Sequence, residues 1–480
     1  MAAIERYIPA VLFSLAILTG SLNAAQAKAP TREETLNFED VGTIHIYRES
    51  PHPPNVVLFV SGDGGWNAGV ANMARALASL ESLVVGVDIN HFFKSLVDDG
   101  EKCSYYAWSL EDVSHFAQQK LGYPRYVFPI LVGYSSGATL VYAALVQSHT
   151  GTFRGAISLG FCPDLLVPKT PCRGNGLQWG ADPKARKNKW ENFVFRPASE
   201  LVDPWIVLQG DVDAVCDSRA TAAFVKQSGS SRLISLPKVG HGFSVESHWM
   251  PQLKAEFLSL VSKIAALDVS PKAPEVKDLP LVEVPSPNPS SDALAVIISG
   301  DGGWASIDRD LGQMLSNSGI SVVGVNSLQY FWTRRTPDTS SADLNRILRH
   351  YLTAWNKRRA ILVGYSMGAD VLTFMAARLP PDSLSKVSLI ALLGLSPSVD
   401  FEFHFTEWFS PVARKTDLRV APEVERLRGK QMLCFFGAEE EDSLCKVLPP
   451  GLVRQVVMKD GHHFGGDYKT VAEIILKEAK

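Results

Sequence analysis

The stretch LVGYSSGA at residues 131–138 returns as LVGYSMGA at residues 362–369, and each copy holds a serine between two glycines. An apolar run precedes each stretch, and a helix-like segment follows it. A Gly-x-Ser-x-Gly pattern between a strand and a helix is typical of a nucleophile elbow, in which the serine occupies a strained turn. The flanking glycines leave room for neighbouring backbone. The pattern makes Ser135 and Ser366 candidate nucleophiles.

The repetition extends well beyond the two serines. SGDGGW at residues 61–66 returns at 299–304, VVGV at 84–87 returns at 322–325, and GHGF at 240–243 resembles GHHF at 461–464. The order of these landmarks is the same in both copies, while the offset between them falls from 238 to 231 to 221. Deletions of this kind fall in loops. The chain therefore contains the same domain twice.

Both copies alternate short β-branched runs with longer amphipathic segments, which predicts a mostly parallel sheet flanked by helices and an α/β fold class. We expect an N-terminal domain over residues 37–267 and a C-terminal domain over 292–480. Residues 268–291 are rich in proline and serine and have little periodicity, so they predict an exposed linker.

The first 27 residues have the features of a signal peptide. Arg6 precedes an apolar run over residues 8–18, and Ala25-Gln26-Ala27 has the small-x-small form of a cleavage site. We expect cleavage before Lys28 and export of the chain. Export favours disulfide bonds among the six cysteines. If bridges stay within each half, Cys434 pairs with Cys445, and three pairings remain open for the other cysteines: Cys103, Cys162, Cys172 and Cys216.

An acid and a histidine follow the serine in each copy. In the first copy an apolar run over residues 205–210 predicts a strand, and Asp213 follows it as the candidate acid for His241. In the second copy His462 is preferred to His463, because it follows a glycine as His241 does. The chain order serine, acid, histidine is that of α/β-hydrolases. The sequence therefore predicts two tandem α/β-hydrolase-like domains.

The acid of the second copy has two candidates. Counting from the glycine that ends the strand at residues 433–437 selects Glu440, whereas counting back from Cys445 selects Asp442. We prefer Asp442, since its spacing to the next cysteine equals that of the acid in the first copy. An orienting acid fixes the tautomer of the histidine that accepts the serine proton.

The repeated SGDGGW segment follows the first strong strand of each copy, where this fold supplies one donor of the oxyanion hole; the other is the amide after the nucleophile. The candidate donors are the backbone amides of Asp301, Gly302, Gly303 and Met367. The alternative is a tight turn whose glycines permit positive φ. No dinucleotide or Walker motif is present, and no cluster has convincing zinc spacing, so the sequence implies neither a cofactor nor a metal.

Charge argues against nucleic acid as a direct ligand, because 47 Lys and Arg face 50 Asp and Glu and the formal net charge is −3. Two local basic clusters lie near aromatic residues. We read them as ordinary solvated surface, and the alternative is a rim that rests on anionic lipid. Their members are Lys184, Arg186, Lys187 and Lys189, and Arg334, Arg335, Arg346 and Arg349.

With these motifs, the whole mature chain resembles the AcvB/VirJ family of bacterial virulence proteins, and its C-terminal half alone resembles VirJ. The resemblance implies a periplasmic serine hydrolase of Gram-negative bacteria that removes the aminoacyl group from lysyl-phosphatidylglycerol, with roles in virulence, T-DNA transfer and acid tolerance. It places the family's serine on Ser366 and its histidine on His462. The implied partners are an aminoacylated anionic phospholipid at the membrane surface and components of a secretion system.

Other interpretations stay open at this point. In one alternative the chain is a non-enzymatic accessory module of a secretion system, and in another it is a general carboxylesterase. Three roles are open for the N-terminal half: a second active site, a lipid-presenting module or a partner-docking domain.

Overall fold

The computed structural model describes residues 33–38, 41–97, 102–187, 190–268, 273–403 and 418–479, and these form two α/β units. The predicted signal peptide and its cleavage site lie outside the described residues. No helix in the described ranges combines the length and the apolar character needed to cross a membrane.

The N-terminal unit is built on an eight-stranded sheet in the order β1-β2-β4-β3-β5-β6-β10-β11. Its strands are β1 (Glu33–Phe38), β2 (Gly42–Tyr47), β3 (Asn55–Val60), β4 (Ser82–Val87), β5 (Ile130–Tyr134), β6 (Ala156–Leu159), β7 (Asp164–Val167), β8 (Trp179–Lys187), β9 (Trp190–Phe195), β10 (Trp205–Gly210) and β11 (Ser231–Leu236). Its helices are α1 (Ala68–Ala78), α2 (Ile89–Ser95), α3 (Tyr106–Lys120), α4 (Ser136–Gln147), α5 (Ser218–Gln227) and α6 (Met250–Asp268). Strands β7, β9 and β8 form a separate antiparallel sheet.

The C-terminal unit repeats this plan on a seven-stranded sheet in the order β12-β14-β13-β15-β16-β19-β20. Its strands are β12 (Leu281–Val284), β13 (Ala293–Ile298), β14 (Val322–Val325), β15 (Arg359–Tyr365), β16 (Val387–Leu393), β17 (Ser398–Val399), β18 (Leu418–Arg419), β19 (Met432–Gly437) and β20 (Arg454–Met458). Its helices are α7 (Ser306–Asn317), α8 (Ser327–Tyr330), α9 (Pro337–Ala354), α10 (Met367–Ala377), α11 (Pro381–Ser385), α12 (Ala421–Arg426) and α13 (Tyr468–Glu478).

Both large sheets are parallel except at one edge, where β2 and β12 run antiparallel to β4 and β14. Helices cover both faces of each sheet, so the central strands are continuous apolar runs such as NVVLFV in β3. The predicted α/β fold class is confirmed, and both units are α/β-hydrolase-like. In parallel sheets the functional loops gather at the carboxyl ends of the strands.

The edges of both sheets extend beyond the predicted domain limits. β12 lies inside the predicted linker of residues 268–291 and pairs with β14, with Leu281 opposite Val325. The N-terminal sheet begins at Glu33 rather than at residue 37. Edge strands bury few side chains, and in β12 only Leu281 is fully buried. Such strands therefore leave a weak hydrophobic signal in the sequence.

Three disulfide bonds join the six cysteines. Cys434 pairs with Cys445, as expected if bridges stay within each half. The other bridges, one of the three open pairings, are Cys103–Cys172 and Cys162–Cys216. Cys434 and Cys445 belong to one strand and the loop after it, whereas the Cys162–Cys216 bridge joins two different strand ends.

The two units pack against each other through aromatic residues. The Trp332 indole N–H donates to the carbonyl of Tyr123 at 2.8 Å, and its ring stacks on Phe403. His115 lies fully buried beside Trp332 and Phe403, and neither of its ring nitrogens has a hydrogen-bond partner among the described residues. Trp332 belongs to the aromatic group beside the second basic cluster, and it is buried rather than exposed on a rim.

Two arginines of the second basic cluster are engaged in ion pairs. Arg334 contacts Glu402 at 3.0 Å, and Arg346 contacts Asp278 at 2.6 Å. These contacts fit the interpretation as ordinary surface. The basic side chains of the first cluster lie outside the described residues.

Candidate active site

The two candidate serines share an unusual backbone conformation. Ser135 has φ 56° and ψ −124°, and Ser366 has φ 53° and ψ −127°, each at the junction of a strand and a helix. A Cβ on Gly368 would lie 2.2 Å from the carbonyl oxygen of Ile298, so no other residue fits there. The left-handed φ of a serine is strained and marks a functional turn. Both turns have the geometry of a nucleophile elbow.

The N-terminal site contains a continuous hydrogen-bonded series from serine to acid. Ser135 Oγ lies 2.9 Å from His241 Nε2, and His241 Nδ1 lies 2.9 Å from Asp213 Oδ2. The Asp213 side chain is fully buried, and His241 is largely buried. The structure thus brings together the three residues that the sequence predicted for this half. The arrangement is that of a serine, a base and an orienting acid.

Three further donors hold the Asp213 carboxylate in place. The backbone amides of Val215 and Cys216 donate to Oδ1, each at 2.9 Å, and the Gln209 side-chain amide donates to Oδ2 at 3.0 Å. The bridge from Cys216 to Cys162 ties this loop to the end of β6. Buried carboxylates are stable when their oxygens are satisfied in this way. The acid is therefore fixed before any ligand binds.

In the C-terminal site the histidine is paired with a glutamate. His462 Nδ1 lies 2.7 Å from Glu440 Oε1, and Glu440 Oε2 accepts from the Gly437 amide at 3.1 Å. The Ser366 hydroxyl makes no hydrogen bond to His462 among the described residues. In ligand-free sites such contacts are often long and tighten when substrate binds. The site thus has an oriented histidine beside an elbow serine, with the last contact open.

The preference for Asp442 as the acid was wrong, because the structure places Glu440 against His462. Asp442 is exposed and does not contact His462, whereas Glu440 occupies the position of Asp213, three residues beyond the glycine that ends the strand. A Cβ on Gly437 would lie 2.2 Å from the carbonyl of Gly461, so the two loops cross at that glycine. The same contact occurs in the first unit, where a Cβ on Gly210 would lie 2.0 Å from the carbonyl of Val239, so this glycine is an equivalent landmark in both units.

The cysteines misled the alignment because they are not equivalent. Cys216 bonds to Cys162 at the end of a neighbouring strand, whereas Cys445 bonds to Cys434 in its own strand. Counting from the cysteine therefore compares two differently closed loops. Counting from the glycine compares the same strand end in both units.

The structure also separates the two adjacent histidines. His462 faces Glu440, and His463 Nδ1 lies 2.8 Å from the Tyr365 hydroxyl. Burial lowers the pKa of His463, and the neighbouring His462 lowers it further. The geometry assigns the base position to His462, the histidine preferred from the repeat.

The predicted oxyanion donors of the C-terminal loop are already engaged. The Gly303 amide donates to the carbonyl of Gly300 at 3.1 Å, and the Gly302 amide donates to Asp301 Oδ1 at 3.1 Å. Asp301 also accepts from its own amide. Aspartate commonly folds back on nearby backbone in turns. The Met367 amide alone among the predicted donors has no partner in the described part of the chain.

The corresponding N-terminal loop leaves more amides open. The Gly65 amide donates to the carbonyl of Gly62 at 2.9 Å and closes the turn. Over the described residues, the amides of Asp63, Gly64 and Ser136 donate to no protein group. A Cβ on Gly62 would lie 2.9 Å from the Ser135 Cβ, so this loop lies directly beside the nucleophile.

The repeated tryptophan supports each loop from below. A Cβ on Gly86 would overlap the Trp66 ring at 2.1 Å, and one on Gly324 would overlap the Trp304 ring at 2.2 Å. The tryptophan of SGDGGW therefore packs on the glycine of VVGV in both units. This contact explains why the two motifs recur together.

Carboxyl groups surround the C-terminal histidine. The hydrogen bond to Glu440 raises the pKa of His462 above its usual value, and the charges of Glu440, Asp370 and Asp301 raise it further while burial opposes them. Burial raises the pKa of Asp370 to about 7, although this carboxyl accepts from the Ser396 amide at 2.7 Å. Burial likewise raises the pKa of Asp301.

Sequence reasoning missed two buried carboxyl groups of the C-terminal unit. Asp370 occupies the place of Thr139, and Asp308 occupies the place of Val70. Asp308 is buried, accepts from the Gly300 amide, and has one oxygen without a partner among the described residues; burial raises its pKa well above the usual value. The signal that would have found both is a position-by-position comparison of the two copies.

The solved structures similar to this chain each span about half of it. Est1E from Butyrivibrio proteoclasticus is 11% identical, with a TM-score of 0.33, and covers 48% of this chain and 99% of its own. XC6422 from Xanthomonas campestris, described as an α/β serine hydrolase without a lid, is 19% identical, with a TM-score of 0.30, and covers 49% and 95%. The esterase domain of a Rhodothermus marinus protein is 14% identical, with a TM-score of 0.31, and covers 49% and 97%.

No curated protein matches the chain. A family model described as bacterial virulence protein (VirJ) matches residues 54–154 and 292–480, which together are more than half of the chain. The match includes both elbow serines and, in the C-terminal half, His462 and Glu440. The chain belongs to the VirJ family of bacterial virulence proteins.

Proposed function

We propose that this protein is a serine hydrolase that cleaves the aminoacyl ester of lysyl-phosphatidylglycerol and releases lysine, with Ser366 as the nucleophile. The observation that carries the proposal is the elbow at Ser366, where the ring of the preceding Tyr365 lies 5.4 Å from that of His462, the histidine oriented by Glu440 at 2.7 Å. Membership of the VirJ family supports the C-terminal unit as the site of this reaction.

The proposed reaction has two steps. His462 Nε2 accepts the Ser366 proton as Oγ bonds to the ester carbonyl carbon; the ester bond then breaks, and the lipid hydroxyl leaves with that proton. Water next attacks the lysyl-serine ester, gives its proton to His462, and releases lysine as the proton returns to Ser366. Glu440 holds the tautomer that keeps Nε2 free to accept. No cofactor takes part in either step.

The charges around the site support a cationic acyl group. Asp370 and Asp301 act on His462, and the exposed acids Glu439 and Asp442 lie on the loop that carries Glu440. A lysyl group has two ammonium groups at neutral pH, which favourable charge placement attracts. Asp301 must leave the loop amides before they can bind an oxyanion, and an ammonium group offers its carboxylate a new partner.

The proposed location is the periplasm of a Gram-negative bacterium, at the membrane surface where the lipid lies. Three disulfide bonds favour an oxidising compartment. The proposal includes the roles in virulence and acid tolerance that the family resemblance implies.

The test is lysine release from vesicles. Purified chain is incubated with vesicles of phosphatidylglycerol containing lysyl-phosphatidylglycerol, and free lysine is measured by mass spectrometry. Ser366→Ala should lose at least about 10³-fold in rate, as is usual when a triad nucleophile is removed. Ser385→Ala, a matched change at an exposed serine of α11, should match the wild type. Unchanged release by Ser366→Ala would refute the assignment.

A second arm separates a selective enzyme from a general carboxylesterase. The same preparations are given p-nitrophenyl butyrate, whose acyl group has no charge. Ser366-dependent turnover should favour the lysyl lipid. Equal or greater Ser366-dependent turnover of the butyrate ester would replace the proposal by a general esterase.

A further inference from the structure

We infer that the N-terminal unit is a second serine esterase site, independent of the first, that accepts esters with an uncharged, apolar acyl group. This inference goes beyond the proposed function, because it concerns Ser135 and requires nothing of Ser366. It rests on a complete hydrogen-bonded series from serine to acid, on open oxyanion donors, and on apolar or neutral residues where the other unit has acids.

The hydrogen-bonded series from serine to acid is more complete at Ser135 than at Ser366. Both contacts, Ser135 to His241 and His241 to Asp213, are formed at 2.9 Å. The acid is held by two backbone amides and one side-chain amide, whereas Glu440 accepts from one backbone amide in addition to its histidine. A base and acid preorganised in this way are what nucleophilic catalysis requires. Ser135 is held at φ 56°, and strained backbone of this kind clusters at functional sites.

The oxyanion loop of this unit is open. The amides of Asp63 and Gly64 and the amide of Ser136 have no protein partner over the described residues, and Asp63 is exposed rather than folded onto its loop. In the other unit Asp301 occupies the matching amides. The N-terminal site therefore needs no cation to free its donors.

Two exposed positions beside Asp213 are apolar where the matching positions of the C-terminal loop are acidic. Val212 and Val215, which flank Asp213, are 60% and 69% exposed. The matching positions after Gly437 are Glu439 and Asp442, which are also exposed. Exposed valines beside a catalytic group favour contact with an apolar ligand.

Two interior positions repeat this contrast. Thr139 stands where the other unit has the buried Asp370, and Val70 stands where it has the buried Asp308. The Thr139 hydroxyl donates to the carbonyl of Cys162 at 2.6 Å, so its polar group is satisfied within the fold. The N-terminal unit thus lacks both of these buried carboxyl groups, which favours a neutral acyl group over a cationic one.

Ester hydrolysis at Ser135 has two steps. Ser135 Oγ bonds to the acyl carbon, its proton passes to His241 Nε2, and the ester C–O bond breaks to release the alcohol with that proton. Water then hydrolyses the acyl-serine, releasing the carboxylic acid and restoring the proton to Ser135. A fluorophosphonate probe follows the first step alone: a phosphorus–oxygen bond forms, the phosphorus–fluorine bond breaks, and fluoride leaves.

The first experiment maps the fluorophosphonate adduct on the full chain by peptide mass spectrometry. An adduct on the peptide that contains Ser135 is expected, with its rate of formation lowered at least about 10²-fold in Asp213→Asn and equal to the wild type in Ser262→Ala, an exposed serine of α6. Absence of the Ser135 adduct overturns the inference. Lysyl lipid turnover is not part of this readout, so failure of the proposed function leaves the result intact.

The second experiment tests the acyl group with two substrates that share a leaving group, p-nitrophenyl butyrate and the p-nitrophenyl ester of lysine. Ser135→Ala should lose most of the butyrate hydrolysis. Val212→Glu combined with Val215→Asp should shift the Ser135-dependent preference toward the lysine ester by about tenfold, since the acids bring opposite charge close to the ammonium groups. Butyrate hydrolysis unaffected by Ser135→Ala, or a preference unmoved by the two acids, would overturn the assignment of the acyl group.

Discussion

Replacing Glu440 by glutamine changes one atom and should disable the C-terminal site. Glu440 Oε1 lies 2.7 Å from His462 Nδ1, and Oε2 accepts from the Gly437 amide at 3.1 Å. In Glu440→Gln the carbonyl oxygen stays on the Gly437 amide, because two donors would otherwise face each other. The new NH₂ group then donates to Nδ1, which forces the proton onto Nε2. Nε2 then has no lone pair for the Ser366 proton.

The expected loss is large. An amide in place of an orienting acid costs about 10⁴-fold in rate when it fixes the wrong tautomer. That factor corresponds to about 5.5 kcal/mol of transition-state stabilisation at roughly 1.4 kcal/mol per tenfold. Glu440 has one backbone donor to hold it, so its glutamine retains some freedom to rotate, and we expect a loss between about 10³ and 10⁴.

The assay is lysine release from lysyl-phosphatidylglycerol vesicles in a Ser135→Ala background, which removes any contribution of the N-terminal serine. Asp442→Asn is the matched control, since Asp442 is exposed and two residues from Glu440. Asp442 lies on the acidic loop that attracts the lysyl group, so Asp442→Asn should lose no more than about tenfold, far less than Glu440→Gln. A large loss in Asp442→Asn, or full activity in Glu440→Gln, would refute the assignment of the acid.

Two of the remaining predictions concern the C-terminal site, and one concerns the buried His115. The pKa of His462 lies above its usual 6.5, and the histidine must be neutral to act as a base, so kcat/KM at Ser366 should fall as the pH is lowered through a midpoint above 6.5. Asp370→Asn should lower that midpoint. A wild-type midpoint below 6.5 contradicts this prediction. Cys434→Ser removes the bridge that closes the loop carrying Glu440, so lysine release should fall at temperatures where the fold persists. If both Cys434 and Cys445 are alkylated in the oxidised wild type, the bridge is excluded. Burial lowers the pKa of His115 to about 3. Between about pH 6.5 and 3 the unfolded chain therefore binds one more proton than the folded chain, and the free energy of unfolding falls as the pH is lowered through that window. His115→Leu should recover about 2 to 3 kcal/mol of the loss between pH 7 and 4.5 in urea unfolding, and an equal loss in both proteins would contradict it.

The sequence predicted the features that depend on local pattern. The doubled α/β plan, the elbow serines and the choice of His462 over His463 all rest on motifs whose residues are adjacent in the chain. Glycines such as Gly368 are readable because close backbone contact excludes any other residue. The edge strand β12 was not predicted, since it buries a single leucine.

The features that depend on contacts between distant loops were harder to predict. The acid was misassigned because the cysteine used as an anchor closes a different loop in each unit, whereas Gly437 makes the same loop contact as its counterpart and is the equivalent landmark. Asp301 accepts from the Gly302 amide, whereas Asp63, in the same local sequence, leaves the matching Gly64 amide open over the described residues. The difference lies in the side-chain rotamer of the aspartate. Sequence alone does not determine that choice.

The most direct test of the central claim is to trap the acyl-enzyme on the C-terminal serine. The full chain is mixed with lysyl-phosphatidylglycerol vesicles, quenched in acid during turnover, and digested for peptide mass spectrometry. Covalent catalysis predicts a lysyl group esterified to Ser366, absent from Ser366→Ala and increased early in the reaction as a burst. Lysine release without any lysyl adduct on the Ser366 peptide, or with the adduct on Ser135 instead, would contradict the account.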